Sequence, residues 1–499
     1  MASVALLVGG VQLLTRPASA NQAVNWAACT IPGFEALQCA KLEVPLDYSK
    51  PWKQKIKLSL VRKLHTSPED QYQGILLANR GGPGADGIGF ALGTVSMGAA
   101  IASTYDIIGF DPRGVSTSEP ALSCDPDHKY QGPVRADYIP ANRAEERAWT
   151  KKAADYANAC GAKYRELLPH MTSANNARDM DAIRQALGQD KLTYVGISWG
   201  TYLGANYATL FPNRVRRMVL DSIVRPSGVW YDDNIDQNHA FEANFRGWAE
   251  WAAGHNDVYG LGATADAVQA TYYATRAKLK ATPAENMVGP SEFDDTMLSV
   301  GYFTSTWLGL TDALSKYVVN NETGPLVEAY GGAPNDNSYS IYLATECSDA
   351  RWPRDWQTWH RDMWRSHAKS PFLTWGNAWF NAPCAYWPTR AQGPVDIRGK
   401  RGLPGVLFLQ NINDGATPYP GAVEVHKLFP TSKLVLEPGL GDHGTRANPC
   451  VNAIYRTYLG AGTLPASDVT CTPRAVPDPN AVMARSEQLA DDFPAVPRS

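Results

Sequence analysis

The sequence predicts an α/β fold: a mostly parallel sheet flanked by helices, with a large helical cap inserted before a strand that carries an acid. Three observations support it. Short, mainly apolar runs such as Gly74–Asn79, Tyr105–Phe110 and Gly405–Gln410 read as strands buried on both faces. Stretches of helical period lie between such runs, notably Ala174–Leu187 with Ala177, Met180, Ile183 and Leu187 on one face. The strand pattern then stops between about Arg225 and Lys400, where Phe241, Phe245, Trp248 and Ala252 repeat at helical spacing, and resumes afterwards.

In chain order, Val4–Val8 and Val11–Leu14 form a short apolar run that ends in Ala18-Ser19-Ala20. This reads as a cleavable export signal over residues 1–20, too short to span a bilayer as a mature helix. The first part of the α/β core is expected over 21–224, a mainly helical cap over 225–400, and the second part of the core with a C-terminal tail over 401–499. Within the first part, Leu42–Leu46 and Ile56–Val61 are extended, the second alternating as a half-buried strand does. Gly74–Asn79 runs into Arg80-Gly81-Gly82-Pro83-Gly84, a loop whose backbone N–H groups are free to face an anion. It lacks both the Gly-Lys-Ser/Thr ending and the Gly-x-Gly-x-x-Gly spacing of nucleotide loops. Asp111-Pro112-Arg113-Gly114 closes the next strand as a structural turn.

Thr193–Ile197 is a strand that enters Gly196-Ile197-Ser198-Trp199-Gly200 and continues as a helix. A serine between two glycines in that context is a nucleophile elbow: the turn lifts the Ser198 hydroxyl above the sheet edge, and the glycines let strand and helix approach. The backbone N–H of Trp199, together with that of Gly82 in the glycine loop, would form an oxyanion hole. Past Gly405–Gln410, Asp414 sits in a turn from which it can orient an imidazole. His443 follows the strand Lys433–Glu437 in a glycine-rich loop. The chain order Ser, Asp, His is the one this kind of sheet uses. Asp442 is the rival acid, although a neighbour in sequence is poorly aimed at Nδ1 of His443. His426 falls on a helix as a packed or surface residue, and His239, His255, His360 and His367 belong to the cap.

Composition narrows the alternatives. With 44% hydrophobic and 19% charged residues and a net charge of -3, the chain has no basic footprint for nucleic acid and no polybasic patch for a membrane. The 15 Trp and 23 Tyr suggest a cleft with aromatic walls. Eight cysteines fit an oxidising compartment, hence a secreted protein, and lack zinc-ligand spacing, so no metal is expected. Pairing of sequence neighbours, Cys29 with Cys39, Cys124 with Cys160, Cys347 with Cys384 and Cys450 with Cys471, is one connectivity among many.

Taken together, Arg80-Gly81-Gly82-Pro83-Gly84, Asp111-Pro112-Arg113-Gly114, Gly196–Gly200, Asp414 with Thr417-Pro418, and Asp442-His443-Gly444 resemble the secreted tripeptidyl aminopeptidases of actinobacteria. These belong to the α/β-hydrolase superfamily and are related to the prolyl aminopeptidases, which carry His where this chain has Arg80. The resemblance spans nearly the whole mature chain. It implies a secreted serine exopeptidase that releases short peptides, tripeptides above all, from the free N-termini of peptides and proteins without a cofactor. An aminopeptidase must hold an ammonium out of water, which requires a buried carboxylate at a fixed distance from the nucleophile. Glu346 and Asp349, flanking Cys347, are the candidates. A secreted esterase, lipase or prolyl aminopeptidase-type hydrolase would use the same triad, and a binding protein that kept the fold without the chemistry is the third possibility.

Overall fold

The computed structural model describes residues 24–89, 97–128, 134–332 and 335–480, so the expected export signal lies outside them. Among the described residues ten strands form one sheet in the order β1-β2-β3-β5-β4-β6-β7-β8-β9-β10. The first three, β1 (Ala27–Ala28), β2 (Gln38–Pro45) and β3 (Lys55–Lys63), are antiparallel at one edge, and β3 also pairs antiparallel with β5 (Asp106–Phe110). From β5 onward every pairing is parallel, through β4 (Ile75–Asn79), β6 (Leu192–Ile197), β7 (Val215–Asp221), β8 (Leu407–Asn411), β9 (Lys433–Glu437) and β10 (Val469–Thr470).

Both faces of the central strands are covered, which is why their sequences do not alternate. In β4, Ile75 and Leu77 join one core with Tyr194 and Leu220, while Leu76 and Ala78 join the opposite core with Val195 and Leu409. The expected alternation in β3 holds only at its start: Ile56 is buried between exposed Lys55 and Lys57, and from Leu58 to Val61 every residue is buried. There β3 passes between β2 and β5 into the covered part of the sheet.

Helix Ser173–Ala186 begins at a Thr172 side-chain cap and buries Ala177, Met180 and Ile183. Helix Trp199–Leu210 directly follows β6 and is almost wholly buried. Between β7 and β8 the described chain adds no strand to the sheet. Its first half has a core of its own, in which helix Tyr231–Gly254 contributes Phe241, Phe245, Trp248 and Ala252, joined by Tyr272, Phe293 and Trp307. Its later helices, Asp336–Asp349, Trp356–His367 and Thr374–Asn381, pack instead into the core that covers one sheet face. The tryptophans of that later portion are therefore mostly structural. Trp352, Trp359, Trp356, Trp379 and Trp375 stack in succession at centroid distances of 5.1–5.7 Å.

The four disulfides join Cys29 to Cys39, Cys124 to Cys160, Cys347 to Cys384 and Cys450 to Cys471, leaving no free cysteine. With 10 to 37 residues between partners, each restricts the unfolded chain by roughly 3 to 4 kcal/mol on the chain-entropy account. Among the described residues no helix is long and apolar enough to cross a membrane.

Candidate active site

The order β5-β4-β6 places the reversal of strand order at β4, so the loops leaving β4 and β6 open the crevice at the carboxyl edge of the sheet. Those loops are Arg80–Gly84 and the turn at Ser198. Ser198 has φ 58° and ψ −130°, a strained conformation for a residue with a side chain. The turn is held by contacts that tolerate no Cβ. One at Gly196 would strike the Gly200 carbonyl, and one at Gly200 would lie 2.5 Å from Asn79 O. The Ser198 N–H donates to Asp221 O at 3.1 Å, tying the turn to the end of β7.

The glycine loop lies against this turn. A Cβ on Gly81 (φ 101°) would come within 2.7 Å of both Ile197 O and Ser198 Cβ. The Gly81 N–H is taken by Asn79 Oδ1 at 2.9 Å. No acceptor among the described residues takes the N–H of Gly82 or of Trp199, and both residues line the same cavity as Ser198. Arg80 turns away into an ion pair with Asp86. Asp111 serves the loops beneath, accepting from Gly87 N–H at 3.0 Å and from Thr117 Oγ1 at 2.7 Å, and Arg113 is buried in a bidentate pair with Asp179.

Asp414 lies just past β8. Its Oδ1 accepts the N–H groups of Ala416 and Thr417, and its Oδ2 accepts Thr417 Oγ1, each at 2.9 Å. His443 Nδ1 is 3.0 Å from both carboxylate oxygens. A carboxylate there puts the ring proton on Nδ1 and leaves the Nε2 lone pair free. The His443 loop is pinned at three points: His443 N–H to Tyr302 O at 2.8 Å, Gly444 N–H to Ser222 Oγ at 2.7 Å, and Thr445 Oγ1 to Asp221 Oδ1 at 2.9 Å. Asp221 thus holds the serine turn by its backbone carbonyl and the histidine loop by its carboxylate. Asp442, the rival acid, faces away from the ring and accepts from Thr304 N–H at 2.7 Å and from Arg474 at 2.9 Å. His426 lies on helix Tyr419–Leu428 between Ser432 and Asp468.

Burial disfavours the His443 imidazolium, but the charge of Asp414, its hydrogen bond and the further charge of Asp221 outweigh this and hold the pKa above the usual histidine value. If His443 must be neutral to accept a proton, reactivity rises with pH through that raised pKa. The rate of Ser198 labelling by a fluorophosphonate, which carries no amine, is therefore expected to have its acidic midpoint above about 6.5. A midpoint at or below that value would count against His443 as the base.

The cavity over Ser198 is walled by Trp230 and Phe241 from the first half of the insertion and by Tyr339, Tyr342 and Trp379 from the second. The two expected carboxylates part company there. Glu346 lines the cavity, and its Oε2 is buried with no hydrogen-bond partner among the described residues. Burial holds its carboxyl well above the ordinary range, and Asp349 and Asp233 add repulsion that Tyr342 only partly offsets. Asp349 does not line the cavity. It lies behind Trp199, accepting from Ser173 N–H at 2.7 Å and Ser173 Oγ at 2.6 Å, and the same hydroxyl accepts the Trp199 indole at 3.0 Å. Of the expected pair, then, Glu346 lines the cavity, and Asp349, one turn further on at the end of helix Asp336–Asp349, is taken up by Ser173 instead. A residue not singled out from sequence, Asp233, does line the cavity. Arg225 holds its Oδ1 at 3.1 Å while its Oδ2 is buried and unpartnered, and burial pushes it up to about 7. In sequence it is merely one of two acids in the first turn of a helix, where acids are common. No group of three or more His, Cys, Asp or Glu among the described residues is arranged to hold a metal.

Comparison with known proteins adds the family. A model of the alpha/beta hydrolase fold matches residues 76–317, and one described as TAP-like protein matches residues 370–471. A tripeptidyl aminopeptidase of Streptomyces coelicolor is 43% identical over 480 residues, spanning 92% of this chain and 88% of that one. The serine protease Hip1 of Mycobacterium tuberculosis is 30% identical over 498 residues, spanning 93% and 94%. A carboxylesterase B of the same species is 31% identical over 459 residues, spanning 87% and 86%.

Proposed function

The chain belongs to the tripeptidyl aminopeptidase family of α/β hydrolases, and from that premise we propose that it is a secreted serine exopeptidase that releases tripeptides from free N-termini. His443, oriented by Asp414, takes the Ser198 proton as Oγ attacks the scissile carbonyl. The oxyanion is received by the N–H groups of Gly82 and Trp199. His443 then protonates the leaving amine, and water repeats the cycle on the acyl-enzyme. Each oxyanion donor contributes about 3 to 4 kcal/mol of transition-state stabilisation. The donors act at full strength because the glycine loop brings no side chain between them and the substrate.

The observation that favours an aminopeptidase over a general hydrolase is Glu346. Its buried oxygen has no partner in the cavity that contains Ser198, and a substrate ammonium is the group that would satisfy it. The anilides of one-, two- and three-residue peptides, each free and N-acetylated, test this. Free tripeptide anilides are expected to be cleaved fastest, with acetylation abolishing most of the activity; equal cleavage of acetylated and free forms would remove the amine anchor. The likeness to a carboxylesterase favours the second reading, an esterase with the same catalytic residues. Faster turnover of short acyl esters than of any peptide in the panel would establish that reading instead. Four disulfides with no free cysteine support export to an oxidising compartment.

A further inference from the structure

The charges that line the cavity are mostly matched. Arg135 is held by Glu292 at 2.6 Å and Asp295 at 2.7 Å. Arg225 is held by Asp233 at 3.1 Å and Asp236 at 3.0 Å, and Asp294 receives Arg276 at 2.9 Å. Two lining groups stand apart. One is the Glu346 carboxylate. The other is Lys152, on helix Arg143–Tyr164, which has no carboxylate within ion-pair distance among the described residues. Its ammonium lies over the Trp149 ring, 5.3 Å from the centroid. That ring is fixed in turn by stacking on Trp379 at 5.5 Å and by its indole N–H donating to Asp137 O at 3.0 Å.

We propose that Lys152, seated on Trp149, is a subsite for a substrate carboxylate, so that the cavity selects peptides bearing a negative charge as well as a free amine. A half-buried ammonium on an aromatic face keeps its charge but lacks an acceptor, and a carboxylate supplies one in a charge-assisted hydrogen bond. Burial, with Arg135 beside it, pushes the Lys152 ammonium down to about 8, which leaves it protonated at neutral pH. The acids whose charges reach it are Asp125 and Glu292, of which Glu292 is engaged by Arg135, and neither lies within ion-pair distance of it. The proposal rests on the peptidase reading. The carboxylate has two sources: an Asp or Glu side chain within the released segment, or the C-terminus of a short peptide.

The test compares isosteric pairs. One arm uses tripeptide anilides with Asp or Glu at each position in turn, against Asn or Gln; the other uses neutral tetrapeptides as free acids against C-terminal amides. In one arm the acid is expected to exceed its amide partner in kcat/KM by about tenfold or more. Lys152→Gln brings that ratio to near one, whereas Lys152→Arg, which keeps the charge, retains it. The proposal is overturned if no arm of the wild-type panel favours the acid, or if Lys152→Gln lowers acid and amide alike and leaves the ratio as it was. Cleavage of the neutral anilides reads the peptidase assignment separately, so failure of one is not failure of the other.

Discussion

Ser198→Ala is expected to lower kcat/KM on a tripeptide anilide by about 10⁶-fold, to the level that binding and oxyanion contacts alone sustain, with the fold intact. The size follows from the proposed role: without Oγ no acyl-enzyme would form, and His443 and Asp414 would have no proton to move. Preservation of the fold follows from the surroundings. The turn is fixed by the Ser198 N–H to Asp221 O bond and by the close contacts of Gly81, Gly196 and Gly200, none of which involves the hydroxyl. Alanine meets the positive φ no worse than serine does. Single-turnover kinetics and thermal melting of the same sample check both halves. Activity within tenfold of wild type would remove Ser198 from the mechanism, and a collapsed melting transition would show that the hydroxyl serves the fold.

The fold was legible because its signals are local. A strand covered on both faces is apolar along most of its length, and β4, β5, β6, β8 and β9 each carry such a run. The elbow is equally local, since two glycines and a serine at fixed spacing encode a turn that only that spacing permits. Chain order and strand ends single out Asp414 and His443 as candidates in the sequence, and the His443 ring nitrogen lies 3.0 Å from the Asp414 carboxylate. What composition could not reveal is which side of a helix faces the cavity. Glu346 and Asp349 are three residues apart, yet one lines the cavity and the other caps Ser173 behind Trp199. Asp233 reads in sequence as an ordinary helix-start acid, and only tertiary packing places its second oxygen in the cavity without a partner. The helical insertion also reads as one unit in sequence, but its later helices share the core of the sheet, because the partners of those tryptophans, such as Trp149, come from a helix far earlier in the chain.

Glu346→Gln should cut the preference for a free over an acetylated N-terminus by about 100-fold or more. Burial, reinforced by the charges of Asp349 and Asp233, favours the protonated carboxyl. An entering ammonium reverses that balance, because a positive charge beside the carboxylate offsets both its desolvation and the repulsion of its neighbours. Glutamine keeps the volume and an acceptor but supplies no charge, so the ammonium would remain buried beside a neutral amide. Breaking a buried ion pair from one side costs about 3 to 5 kcal/mol, which sets the size of the loss. Because the acetylated substrate brings no ammonium, its rate reports on the catalytic groups alone, and the ratio of the two substrates isolates the anchor. Asp233→Asn, which leaves the Glu346 carboxylate in the cavity, should reduce the same ratio by a smaller factor. A ratio unchanged in Glu346→Gln would mean that the ammonium is held elsewhere, and a larger fall in Asp233→Asn would transfer the anchor to the residue that sequence alone did not single out.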